Sequence, residues 1–242
     1  MVQWFDEIGE EHADWIKKQK IFFVATAPLD GQGCVNTSPK GYDCFRSGIE
    51  TQSHLEENGR ITIMLAAFEG GPRVMRLIGT GRVVRVGSPE FSKIMDDHYQ
   101  GTELYRASGK RSIILADIRK VGTSCGYAVP FFDYRGPRPT LINHWAKKGE
   151  EDVKKYWLTK NMFSVDGLPG MRHEWLGPEW IGKNRVHGPV ELPDWATIGS
   201  KSSTKGGFST WLKPGTGLAN ATILSVGIAI GAGVATIVSK RR

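Results

Sequence analysis

The stretch RVMRLIGTGRVVRV, residues 73–86, alternates apolar and basic side chains over most of its length. Basic side chains interleaved with β-branched and other apolar ones predict a long strand that is buried on one face and solvated on the other, as in an antiparallel sheet. Gly79 and Gly81 interrupt the pattern and predict a bend or bulge.

Runs of the same character surround it. KIFFVATA (20–27) reads as a buried strand, and the PLDGQG turn then leads into GCVNTS (33–38), so the two form a hairpin. RITIMLAAF (60–68) and the region 111–129 supply two more strands, which gives five between residues 20 and 129. Helices are predicted over 5–19 and over 48–58, the second through a capping box of Ser47 and Glu50. A third opens at Ser88-Pro89-Glu90, and PTLINHWAKK and GEEDVKKYWLTKN follow beyond residue 138. Hairpins dominate over βαβ units, so the expected fold is mainly β: a small antiparallel barrel with peripheral helices. The expected division is a barrel at 1–130, a helical extension at 131–181, a linker at 182–217 and a hydrophobic tail at 218–238.

With 32 Lys and Arg against 25 Asp and Glu, the formal charge is +7. The excess suits an acidic surface or a phosphorylated small molecule, but the basic residues are scattered and carry no nucleic-acid signature. Cys34, Cys44 and Cys125 are odd in number and far apart, which fits neither a metal pattern nor a disulfide framework. The six histidines are dispersed, and HExxH, CxxC and G-x-S-x-G do not occur. Asp96-Asp97-His98 reads as a solvated helix end. Trp145, Trp157, Trp175 and Trp180 read as core covers. Any chemistry would then belong to a cofactor.

Two features could hold one. VNTSPKG ends on Ser38, Pro39, Lys40 and Gly41, where a turn needs the proline and glycine but not the lysine. Lys40 is therefore either a solvated turn residue or a cation facing an anion. The helix opening at Arg46-Ser47-Gly48-Ile49-Glu50-Thr51 offers free backbone N–H groups, as phosphate-binding helix starts do. Arg76 adds a third cation from the long strand. Glu50 works against a phosphate there, because its carboxylate competes for the same donors.

FFVATAPLDGQGCVNTSPKG followed by IETQSHLEENGRITIMLAAFEGGPRVMRLIGTGRV resembles the pyridoxamine 5′-phosphate oxidase-like, FMN-binding split barrels over about residues 5–130. TSCGYAVPFFDYRGPRPTL and SVDGLPG resemble an uncharacterised subgroup of them. The resemblance implies a homodimer with FMN in the cleft between two barrels. Asn36, Ser38 and Lys40 on the second strand would then meet the flavin. Arg46, Ser47, Gly48 and Thr51 would meet its phosphate end, with Arg76 lining the site. No catalytic side chain is implied. Arg172-His173 and Arg185-Val186-His187 match the substrate-holding segment of the pyridoxal-phosphate-forming enzymes only in composition. One strand of the family pattern is absent, because Phe45-Arg46-Ser47-Gly48 joins SPKG almost directly to the helix. Two readings follow: an FMN-dependent oxidoreductase acting on a small molecule, or a non-catalytic binding barrel that has lost flavin with the strand.

The tail, LANATILSVGIAIGAGVATIV, has no charge and is followed by Ser239-Lys240-Arg241-Arg242. Its length suits a helix crossing about 30 Å of hydrocarbon. It predicts a tail anchor inserted after synthesis, in the outer mitochondrial or peroxisomal membrane, with the barrel in the cytosol.

Overall fold

The alternating stretch forms a strand in the computed structural model, which describes residues 2–41, 49–106, 109–171, 224–230 and 235–239. In chain order the elements are β1 (Gln3–Phe5), α1 (Glu10–Lys18), β2 (Ile21–Thr26), β3 (Asn36–Gly41), α2 (Glu50–Asn58), β4 (Arg60–Ala66) and β5 (Val74–Arg85). They continue with α3 (Pro89–Tyr99), α4 (Glu103–Arg106), β6 (Ser112–Ser124), α5 (Thr140–Ala146), α6 (Glu150–Lys160), β7 (Leu224–Ile230) and β8 (Ala235–Ser239). The sheet runs β3-β2-β4-β5-β6-β7-β8, with β1 also paired to β6, and every pairing is antiparallel. The five strands expected between 20 and 129 are β2 to β6.

The expected irregularity in β5 falls between Ile78 and Gly79, where the register against β6 shifts. A Cβ on Gly79 would lie 2.0 Å from the Asp117 carbonyl oxygen, so only glycine fits the crossing. Met75 and Leu77 of β5 point into a core with Val24, Ile63, Leu65 and Val121, closed by Ile16 of α1 and Leu55 of α2. Along β6, Ile114 and Ala116 face this core while Ile113 and Leu115 face a second one under Phe91, Met95 and Tyr99 of α3. Burial on both faces explains why that strand begins as an unbroken apolar run.

α3 starts as read: Ser88 Oγ accepts from the Phe91 N–H at 3.2 Å, and Pro89 occupies the first turn. α5 and α6 form where expected. Trp145 and Trp157 cover a third core with Val153, Leu158, Met171 and Ile49, which fastens the extension to the start of α2.

Four expectations change. Residues 3–5 are a strand on β6, so α1 starts only at Glu10. The second strand begins later than read, because the loop before it is longer, and Ser38-Pro39-Lys40-Gly41 lies inside β3, with no corner there. Pro39 is tolerated because β3 ends the described sheet, where a missing N–H removes no ladder bond. α2 starts later than read, with Ile49 at the N-cap and no side-chain bond there, and the Ser47 of the expected capping box lies outside the described residues.

The tail is the largest correction. Leu224–Ile230 and Ala235–Ser239 are strands paired to each other, and β7 pairs to the start of β6. LSVGIAI alternates large with small residues and is rich in β-branched side chains, a strand pattern that the absence of charge concealed. Among the described residues no helix is long and apolar enough to cross a membrane. The linker expected at 182–217 lies outside the described residues.

Candidate functional site

Strand alternation decides which candidates can meet. Asn36, Ser38 and Lys40 sit at every second position of β3 and face inward: Ser38 pairs in register with Val24, and Lys40 with Phe22. Thr51, in the first turn of α2, faces the same locus, and Asn36 Nδ2 donates to its Oγ1 at 3.0 Å. Arg76 belongs to the other face. It is opposite Met64, which is opposite Phe23, which is opposite Pro39, so it shares the outer row with Pro39. The structure therefore brings Asn36, Ser38, Lys40 and Thr51 together and leaves Arg76 outside. There Arg76 donates to Ser124 Oγ at 3.4 Å. Arg46, Ser47 and Gly48 lie outside the described residues.

The inner row is wired into a network. Ser38 Oγ donates to Asn36 Oδ1 at 3.1 Å, and Asn36 Nδ2 donates to Thr26 Oγ1 at 3.2 Å. Thr26 Oγ1 lies 3.0 Å from Nδ1 of His54. Which of the two donates in this contact follows from the imidazole tautomer. The His54 Nε2 is buried without a hydrogen-bond partner and lies 3.9 Å from Asp166 Oδ2. Burial pushes the His54 pKa down, against the pull of Asp166 and Glu57, which favours the neutral ring.

Asp166 ties this network to the extension. Its Oδ2 accepts from the Cys34 N–H at 2.9 Å, and a hydrogen bond to the same carboxylate pushes the Cys34 thiol up. Cys34 is thereby held as a thiol, not as the nucleophilic thiolate. One residue earlier, the Val165 N–H donates to both Glu50 oxygens, at 3.1 and 3.0 Å. Burial raises the Glu50 pKa, the Val165 bond opposes that, and Asp166 adds to it. Sequence reasoning missed Thr26, His54 and Asp166 as members of this cluster. Asp166 is 132 residues from Cys34, and no local pattern announces such a contact.

FMN would need a phosphate cradle and an accessible cation. The first turn of α2 holds a carboxylate already matched to the chain's own N–H, where a phosphate would meet like charge. Lys40 is 1% exposed, Thr51 2% and Ser38 6%, so the chain itself covers the atoms that would touch a flavin. Lys40 also has an interaction within the chain. Arg46, Ser47 and Gly48, expected at the phosphate end, lie outside the described residues; among the described ones, Glu50 and the burial of Ser38, Lys40 and Thr51 work against FMN. An open cleft of about 990 Å³ lies elsewhere, between β1, the start of α1 and the end of β6, lined by Phe5, Glu11, His12, Arg73 and Tyr127 among others. Among the described residues no group of His, Cys, Asp or Glu could hold a metal ion.

A mainly antiparallel barrel with a polar row on its second strand defines a class, and similarity to known proteins narrows it. The chain is 32% identical over 198 residues to the pyridoxamine 5′-phosphate oxidase family protein ustO of Aspergillus flavus, spanning 69% of this chain and 77% of that protein. It belongs to the pyridoxamine 5′-phosphate oxidase family. No protein-family model matches it. Among solved structures, HupZ of Group A Streptococcus aligns at 20% identity and a TM-score of 0.32, over 49% of this chain and 94% of that one. An FAD-binding protein of Mesorhizobium loti aligns at 13% identity and a TM-score of 0.33, over 51% and 97%. A Clostridium acetobutylicum protein of the pyridoxinephosphate oxidase family aligns at 13% identity and 0.28, over 48% and 81%.

Proposed function

We propose that this chain is a non-catalytic binding member of its family, whose barrel no longer holds FMN. The observation that carries the reading is the closure of the inner row: Ser38, Lys40 and Thr51 are buried under the chain's own atoms, and Glu50 occupies the helix start. A hydrogen-bonded polar row of this kind specifies the packing of the extension on the barrel and spends the Asn36 and Ser38 donors within the chain. The purified full-length protein is then colourless. Titration with FMN, followed by quenching of flavin fluorescence, gives no binding at high micromolar concentration; saturable quenching would sink the reading.

One observation favours a second reading, that of an FMN-dependent oxidoreductase. Asn36, Ser38, Lys40 and Thr51 are an amide, two hydroxyls and an ammonium on one face, a donor set suited to a ring bearing carbonyls and, when reduced, negative charge. FMN would supply the electron transfer, and these residues would orient it. On that reading Lys40→Ala weakens FMN binding by about 1–3 kcal/mol, through loss of a charge-assisted contact. A homodimer is part of either reading. The apolar face of β5 is spent on the chain's own core, so the pairing surface falls to the outer row, where Phe23, Met64 and Ile78 are half-exposed.

A further inference from the structure

The residue before β6, Arg111, is turned into the protein and is 4% exposed. Its Nη1 donates to Asn161 Oδ1 at 2.8 Å, and its Nε is buried without a hydrogen-bond partner. Among the described residues no carboxylate forms an ion pair with it. Burial lowers its pKa to about 10, with Tyr156 opposing the shift. A guanidinium out of water with one neutral acceptor among the described residues is a costly arrangement, because an arginine fork presents five donors and a full charge.

Its surroundings are built from three elements. Asn161 is the C-cap of α6, and its carbonyl accepts from the Met171 N–H at 2.8 Å. Gly170 packs against both Ile49, at the start of α2, and the Asn161 carbonyl, where a Cβ would lie 2.4 and 2.5 Å away. Ser112, next to Arg111, donates from Oγ to Gln52 Oε1 of α2 at 3.3 Å. The C-terminal end of α6 lends partial negative charge near Asn161, but carbonyl dipoles and a neutral amide do not replace a counter-ion.

We infer that Arg111 anchors an internal anion site, where the Nε edge of its guanidinium receives the oxyanion of a small molecule, a phosphate or a carboxylate. Asn161 holds Nη1 and so fixes the plane of the fork, leaving the Nε edge for two parallel N–H···O bonds. The site names a ligand class for the binding protein proposed above, and it rests on that reading only in giving the barrel something to bind.

Thermal melting of the full chain tests it, in chloride buffer with inorganic phosphate or acetate added at constant ionic strength. The expected result is a saturable rise in Tm of about 2–4 °C with one or both oxyanions. A response to phosphate alone marks a phosphate ester as the natural ligand, and a response to acetate alone marks a carboxylate. Arg111→Gln abolishes the rise. Asn161→Asp, which sets a carboxylate against Nη1, raises Tm without added anion and removes the response, so the test stands even if Arg111→Gln fails to fold. No response in the unaltered chain, or an undiminished response in either variant, overturns the site. A yellow protein would overturn the absence of FMN and leave the melting result intact, so the two failures are read separately.

Discussion

His54 sits fully buried with its Nδ1 satisfied by Thr26 and its Nε2 facing Asp166 across 3.9 Å. Because burial lowers its pKa from 6.5, the unfolded chain takes up a proton that the folded chain refuses. Stability is therefore full above about pH 6.5 and falls as pH drops below it, by at most about 1.4 kcal/mol per pH unit for this one group. His54→Gln, neutral at every pH, should flatten the dependence of Tm on pH between 7 and about 5; a slope equal to that of the unaltered chain would show that His54 does not titrate as described. At this scale the sequence was partly legible. Asn36, Ser38 and Lys40 share a face because a strand has period two, and any correct strand assignment puts them together. That Arg76 lies on the other face from them was not legible, since its register against Met64 depends on pairings that one strand cannot reveal. Arg111 gave no signal, because burial of a charge is decided by elements far from it in sequence.

The elements were more legible than their ends. Alternation found β5, glycine found its bulge, and the serine–proline pair found the start of α3. Gly79→Ala should destabilise the domain by about 1–3 kcal/mol, since its Cβ would meet the Asp117 carbonyl and the backbone must move. Urea denaturation measures this, and an unchanged midpoint would place the crossing elsewhere. The tail was misread because length and lack of charge fit a helix, while the alternation of large and small residues was not weighed against them. β7 lies between β6 and β8, so a proline at Ile228 removes a donor inside the ladder. Ile228→Pro should lower the melting temperature of the whole domain in calorimetry; a domain melting as before would mean that the tail does not belong to the sheet.

At the scale of the whole molecule, the extension makes this chain's barrel what it is. Its 161–171 segment covers the start of α2, takes the Glu50 carboxylate through Val165, and reaches the β2–β3 loop through Asp166. The outer row of Phe23, Met64 and Ile78 remains for a second copy, and light scattering at tens of micromolar should give a dimer that Met64→Arg converts to a monomer. A monomeric unaltered chain would refute that pairing. The fold class and family were legible from β2 to β6, because their turns and periods are local. The closure of the polar row was not, because it depends on contacts spanning more than a hundred residues. FMN titration of the full-length protein, read by flavin fluorescence, reports on whether that row is closed. The expected result is a colourless protein that leaves the fluorescence of added FMN unchanged to high micromolar concentration. Saturable quenching that Lys40→Ala weakens would contradict it.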